Sequence, residues 1–128
     1  VLMLLAFLAL TYPLNNARAF VNIPEVGQAA PNFELKSNEG KSVSLKSQGG
    51  KWVVLYFYPK DFNSGCTIQA RNFQRDLAAY EKANAVILGV SVDSAETHQE
   101  FCAKEGLSFK LLADTDTKVS AAYGSIME

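Results

Sequence analysis

The stretch Trp52-Val53-Val54-Leu55-Tyr56-Phe57 is apolar at every position and rich in β-branched and aromatic residues. Such a run is the signature of a strand buried on both faces, which needs neighbouring strands beside it and helices above and below. It gives way to Tyr58-Pro59-Lys60-Asp61-Phe62-Asn63-Ser64-Gly65, a string of loop formers. Beyond it, Cys66, Ala70, Phe73, Leu77 and Tyr80 recur in steps of four, three, four and three, drawing one stripe of a helix predicted over Gly65 to about Lys82. Cys66 is thereby placed in the first turn and faces inward. The unpaired N–H groups and the positive dipole end of a helix start favour an anion, so the reactive thiolate is expected there.

The rest of the chain alternates strand and helix. Asn32-Phe33-Glu34-Leu35 and Ser42-Val43-Ser44-Leu45 alternate apolar with polar around Ser37-Asn38-Glu39-Gly40, predicting an N-terminal hairpin. A strand over Val86 to Val92, a helix over Ala95 to about Glu105, the apolar segment Phe109 to Ala113 and a short helix over Thr117 to Tyr123 follow. Asp93 with Glu96 resembles a capping box at the start of the helix over Ala95 to about Glu105, and Gly106 is placed to stop that helix. This order predicts an α/β fold with a central, mostly parallel sheet and flanking helices. Few sheet candidates follow the first buried strand, so one sheet edge is expected to be bare and apolar; the C-terminal strands are expected to be missing and the domain incomplete.

The first ten residues are uncharged and too few to span a bilayer, and Ala17-Arg18-Ala19 gives a small-x-small pattern. Residues 1–19 are therefore expected to be a signal or targeting segment, cleaved before Phe20, with the domain over 20–128 and no stable membrane insertion after processing. The chain starts with Val and lacks a basic n-region, so its true start is expected to lie upstream. Export would put it where disulfides persist. A formal charge of −1 over 128 residues gives no nucleic-acid footprint.

Two cysteines, Cys66 and Cys102, stand 36 positions apart without a Cys-x-x-Cys motif, which disfavours general disulfide exchange. His98 is the only histidine, so a four-ligand zinc site is not expected. His98 itself is expected on a solvated helix face.

Ala30-Pro31-Asn32-Phe33, Tyr56-Phe57-Tyr58-Pro59-Lys60-Asp61-Phe62, Gly65-Cys66-Thr67 and Leu111-Leu112-Ala113-Asp114 together resemble peroxiredoxin Q, the bacterioferritin comigratory proteins, over roughly Val26 to Gly124. The resemblance implies a thioredoxin-like fold and reduction of hydrogen peroxide and organic hydroperoxides, with thioredoxin as reductant, no cofactor and a monomeric state. It places the Pro-x-x-x-Thr/Ser-x-x-Cys signature on Pro59, Asn63 and Cys66. Cys66 would be the peroxidatic nucleophile, oxidised to a sulfenic acid, and Pro59 would shape the loop and shield it. One branch of the family has a resolving cysteine five positions on, where this chain has Arg71. In the other branch it lies on the next helix, where Cys102 matches in spacing and context. A disulfide needs a Cα separation of roughly 4.4–6.8 Å, so local unwinding of both helix ends is expected. Two departures weaken the expected nucleophile: Asn63 replaces the hydroxyl residue, and the family's arginine belongs to a later strand, with Arg71 and Arg75 on the wrong helix turns. Arg71-Asn72-Phe73-Gln74, Phe101-Cys102 and Leu111 to Asp116 look most like cyanobacterial and plastid versions, implying a thylakoid lumen, plastid or periplasm. The alternatives are a non-catalytic thioredoxin-like domain with a static Cys66–Cys102 bridge, or an inactive fragment.

Overall fold

The computed structural model describes residues 23–126; the expected targeting segment and cleavage point lie outside the described residues. The buried run becomes strand β3 (Trp52–Phe57). Before it stand β1 (Glu34–Ser37) and β2 (Ser42–Ser44). After it come α1 (Ser64–Arg75), α2 (Leu77–Lys82), β4 (Ala85–Ser91), α3 (Ala95–Glu105), β5 (Lys110–Ala113) and α4 (Lys118–Ala122).

The five strands form one sheet in the order β2-β1-β5-β4-β3. The trio β5-β4-β3 is parallel, and the predicted hairpin joins β5 through antiparallel β1. The sheet is therefore mixed, with its parallel half carrying the crossover helices. Among the described residues β3 is an edge strand paired only with β4, and Trp52 at its start is 76% exposed.

Side chains leave the parallel strands on alternate faces, as period 2 requires. Val54 and Tyr56 of β3, Ile87 of β4 and Leu111 of β5 join Cys66, Ala70, Phe101, Cys102, Leu107 and Phe109 in one core. Val53, Leu55 and Phe57, Leu88 and Val90, and Leu112 join Phe33, Val43, Val119 and Tyr123 in the other. Both cysteines belong to the first core. Gly89 of β4 lies close under the Tyr56 ring: a Cβ there would come within 2.8 Å of that ring and 2.7 Å of Leu111, so either side chain would have to shift.

The single helix expected from Gly65 to Lys82 is two. It breaks at Asp76, which adopts φ −98°, ψ 6° and whose carboxylate is gripped by both Nε and Nη2 of Arg75. Asp favours local backbone alternatives over a helix interior. The apolar stripe survives the break, with Phe73, Leu77 and Tyr80 still packed on the first core. At α3 the cap is Ser94, whose Oγ accepts the Thr97 N–H at 3.2 Å, rather than the expected Asp93–Glu96 box. Asp93 instead accepts from Ser91 Oγ and from the Asp61 N–H. Gly106 ends α3 in the left-handed region, φ 65°, as its position predicts.

Candidate active site

Cys66 is the third residue of α1 and is buried. The helix starts there because Asn63 caps it: its Oδ1 accepts the N–H groups of Gly65 at 3.0 Å and Cys66 at 3.2 Å. The cap puts a neutral amide oxygen on two of the orphan donors of the first turn. The Asn63 carbonyl additionally accepts from Thr67 N and Oγ1. The Asn63 side chain thus acts as an acceptor toward the Cys66 backbone, not as the donor its amide could have been.

Pro59 is exposed. It lines a cleft with Phe57, Tyr58, Ser91 and Ser120 that Cys66 does not share. Cys66 belongs to the first core, together with Tyr58, Ala70 and Phe101.

Cys102 lies on α3, also buried, and both thiols are free. The structure therefore contains no static bridge between them. Burial, with the carboxylates of Asp61 and Glu39 adding, pushes the Cys102 thiol up to about 12, so in this packing it is held neutral. The two arginines near the site are committed elsewhere: Arg71 pairs with Glu105 of α3 at 2.6 Å, and Arg75 with Asp76.

The main correction concerns His98. Expected in solvent, its side chain is 0% exposed. It lies on the α3 face that also carries Phe101 and Cys102, at the i, i+3, i+4 spacing of a core stripe. Nε2 lies 3.0 Å from the Leu112 carbonyl oxygen, which can only accept, so Nε2 carries a hydrogen. Nδ1 lies 2.6 Å from Asp61 Oδ2. One proton must lie between them, giving either an imidazolium facing a carboxylate or a neutral pair. The Tyr58 hydroxyl donates to Asp61 Oδ1 at 2.5 Å and sits 3.4 Å from His98 Nδ1. Burial, then the bond to Asp61, raise the Tyr58 phenol far above its ordinary value, so it remains a donor.

Sequence reasoning missed this network. The available signal was the apolar stripe itself, which places His98 one turn before Cys102 on the inward face. Asp61, Asp93 and His98 bring ligand atoms within 4.8 Å of one another. Their atoms are already spent on each other, on Tyr58, on Ser91 and on backbone groups, so the cluster is a hydrogen-bond network. Asp114, part of the motif at the end of β5, is buried and accepts from Val119 N, Ser120 N and Ser120 Oγ, capping α4.

A parallel trio of strands extended by an antiparallel hairpin, with a buried cysteine in the first turn of the helix that follows the edge strand, defines a thioredoxin-like domain. The chain belongs to the AhpC/TSA family, which matches residues 26–128. It is 48% identical over 99 residues to the putative peroxiredoxin bcp of Helicobacter pylori, covering 77% of this chain and 65% of that protein. It is 47% identical over 98 residues to the chloroplastic peroxiredoxin Q of Triticum aestivum, covering 77% of this chain and 45% of that one. The chain thus spans about two thirds or less of these relatives. A solved structure of Xanthomonas campestris peroxiredoxin Q superposes with a TM-score of 0.73 at 42% identity, covering 75% of this chain and 61% of that one. Another of that organism's bacterioferritin comigratory protein, described for its alkyl peroxide reduction activity, superposes with a TM-score of 0.74 at 40% identity, over the same shares. Two further structures of the Xanthomonas campestris protein each carry one cysteine-to-serine change, and the changed positions are 36 residues apart.

Proposed function

We propose that the protein carrying this chain is a peroxidase that reduces hydrogen peroxide and organic hydroperoxides through Cys66. The Cys66 thiolate attacks one peroxide oxygen, the O–O bond breaks, water or alcohol leaves after taking a proton, and Cys66 holds a sulfenic acid. The Cys102 thiol then attacks that sulfur, water leaves, and a Cys66–Cys102 disulfide forms. An external dithiol, thioredoxin in this reading, reopens the bond by exchange, gives its two hydrogens to Cys66 and Cys102, and leaves as a disulfide.

The observation that carries the proposal is the presence of two free, buried thiols in one core, one at a capped helix start and the other on α3. Their 36-position separation equals that of the two cysteines changed in the Xanthomonas campestris structures, which supports the pairing. Because both cysteines lie within helices, α1 and α3, the bond requires local opening.

The protein works as a monomer in this reading, and residues 1–19 direct it to a thylakoid lumen, plastid or periplasm; the chloroplastic wheat relative favours a plastid. Fractionation of cells producing the protein, with N-terminal sequencing of the mature form, tests the targeting. The chemistry is tested by treating reduced protein with one equivalent of hydrogen peroxide, trapping free thiols and mapping modified peptides. A Cys66–Cys102 bond that thioredoxin reverses is expected. Two unreacted thiols would overturn the proposal.

A further inference from the structure

The loop that leads into Cys66 is fastened to α3 by two contacts of different chemistry. One is polar and buried: Asp61, five residues before Cys66, bonds His98 with side chains that are 1% and 0% exposed. The other is apolar. Phe62, four residues before Cys66, holds φ at +63°, the left-handed region that a bulky residue rarely adopts. Its ring meets Phe101 edge-on with centroids 5.1 Å apart, and the Lys104 ammonium lies 5.5 Å above it. A strained backbone of this kind persists only where its surroundings over-determine it, and α3 supplies those surroundings.

The receiving face of α3 is also the face that carries Cys102. His98 lies one helical turn before it, Phe101 adjoins it and Lys104 follows it. The two-residue segment that positions Cys66 therefore docks on the residues that flank its partner thiol. In the closed arrangement the two cysteines are free thiols on separate helices, α1 and α3, in one core.

We propose that the Asp61–His98 pair, with Phe62 on Phe101, is a latch that holds the Cys66 loop on α3 and sets the balance between a closed arrangement, in which Cys66 meets peroxide, and an opened one, in which Cys102 reaches it. His98 is a positioning residue that acts through Asp61. The inference rests on the peroxidase reading above. Its physical basis is the asymmetry of buried pairs: with one partner gone, the other is left uncompensated in the closed arrangement but is hydrated once the loop lifts away. Loss of the latch therefore favours opening.

The test separates the two steps by rapid mixing of reduced protein with hydrogen peroxide, following Cys66 sulfenic acid with a sulfenate-specific trap and the disulfide by quenching and peptide mapping. In His98→Gln, which keeps a donor for Leu112 but not for Asp61, the peroxide step is expected to slow at least roughly tenfold while disulfide formation from the sulfenic acid quickens. His98→Asn, whose amide can stand where Nδ1 donates to Asp61, should recover most of the closed-state rate. Phe62→Ala removes the apolar contact without leaving a buried polar group unpartnered and should move the two steps in the same opposite senses. If both steps fall together in His98→Gln and Phe62→Ala, or neither moves, the latch is refuted and these residues only support the fold. If the wild-type protein forms no Cys66–Cys102 bond, the peroxidase reading fails and the latch with it.

Discussion

The Asn63 side-chain oxygen accepts the backbone N–H of Cys66 at 3.2 Å and that of Gly65 at 3.0 Å, so the residue that begins α1 also fixes the backbone of the thiol it presents. Removing that oxygen leaves two first-turn donors to water. Asn63→Ala is expected to cost about 1 kcal/mol of stability, and Asn63→Thr, which restores a capping oxygen, only a few tenths. Urea unfolding of the three proteins checks the order. Equal stability of the alanine and wild-type proteins would show that the cap does not hold the helix start.

The raised Cys102 thiol makes stability depend on pH in a defined window. In the unfolded chain the thiol ionises near 9, whereas burial, then Asp61 and Glu39, hold it protonated up to about 12 in the fold. The unfolded state therefore releases this proton first. The contribution is fully present below about pH 9 and is lost as pH rises through the folded value. The phenols of Tyr56 and Tyr58, both raised chiefly by burial, push in the same direction at higher pH. The difference between wild type and Cys102→Ser isolates the thiol: the variant should lose less stability between pH 8.5 and about 10.5. Parallel curves in thermal unfolding would show that Cys102 does not titrate differently in the two states.

How much of this could be read from the residues follows from what each signal depends on. The strand before Cys66, the inward stripe from Cys66 to Tyr80 and the span of α3 are set by local periodicity, and all three appear as the pattern requires. The position of Cys66 needed nothing more than a strand, a loop and a helix in sequence. The break at Asp76 was hidden because the stripe continues through it, and only the Arg75 grip on the neighbouring carboxylate betrays it. His98 was hidden for a different reason. A lone histidine on a polar helix reads as solvated unless its partner is known, and Asp61 is 37 positions away, brought to 2.6 Å only when the Cys66 loop folds onto α3. The displacement of the α3 cap from Asp93 to Ser94 has the same origin, since Asp93 is drawn off by the Asp61 backbone and by Ser91.

Gly89 is required by a neighbour on the adjoining strand rather than by its own backbone. A methyl group there would come within 2.7 Å of Leu111 and 2.8 Å of Tyr56, whose ring stacks on Tyr58 and packs on Phe73 of α1. Gly89→Ala is expected to cost about 1–3 kcal/mol through overpacking. The displaced Tyr56 should also disturb Tyr58 and the loop beyond it. Calorimetry measures the first effect and the reaction of Cys66 with a thiol reagent the second. A variant as stable as wild type would mean that Tyr56 has room to move.

Tyr58 isolates the polar half of the loop's attachment, because its hydroxyl donates to the Asp61 oxygen that does not face His98. Tyr58→Phe keeps the ring in the first core and in its stack on Tyr56. Only the donor is lost, and Asp61 Oδ1 is left buried without it. Hydrogen bonds to charged groups contribute about 1.5–3 kcal/mol, and an orphaned buried acceptor costs a similar amount. The variant should therefore unfold at lower denaturant with an unchanged slope, by about 1.5–3 kcal/mol. Native-state hydrogen exchange should show the loss concentrated at the Asp61 amide and in the first turn of α1, with β4 and β5 retaining their protection. Uniform loss across the sheet would show instead that the hydroxyl supports the whole core and has no particular hold on the Cys66 loop.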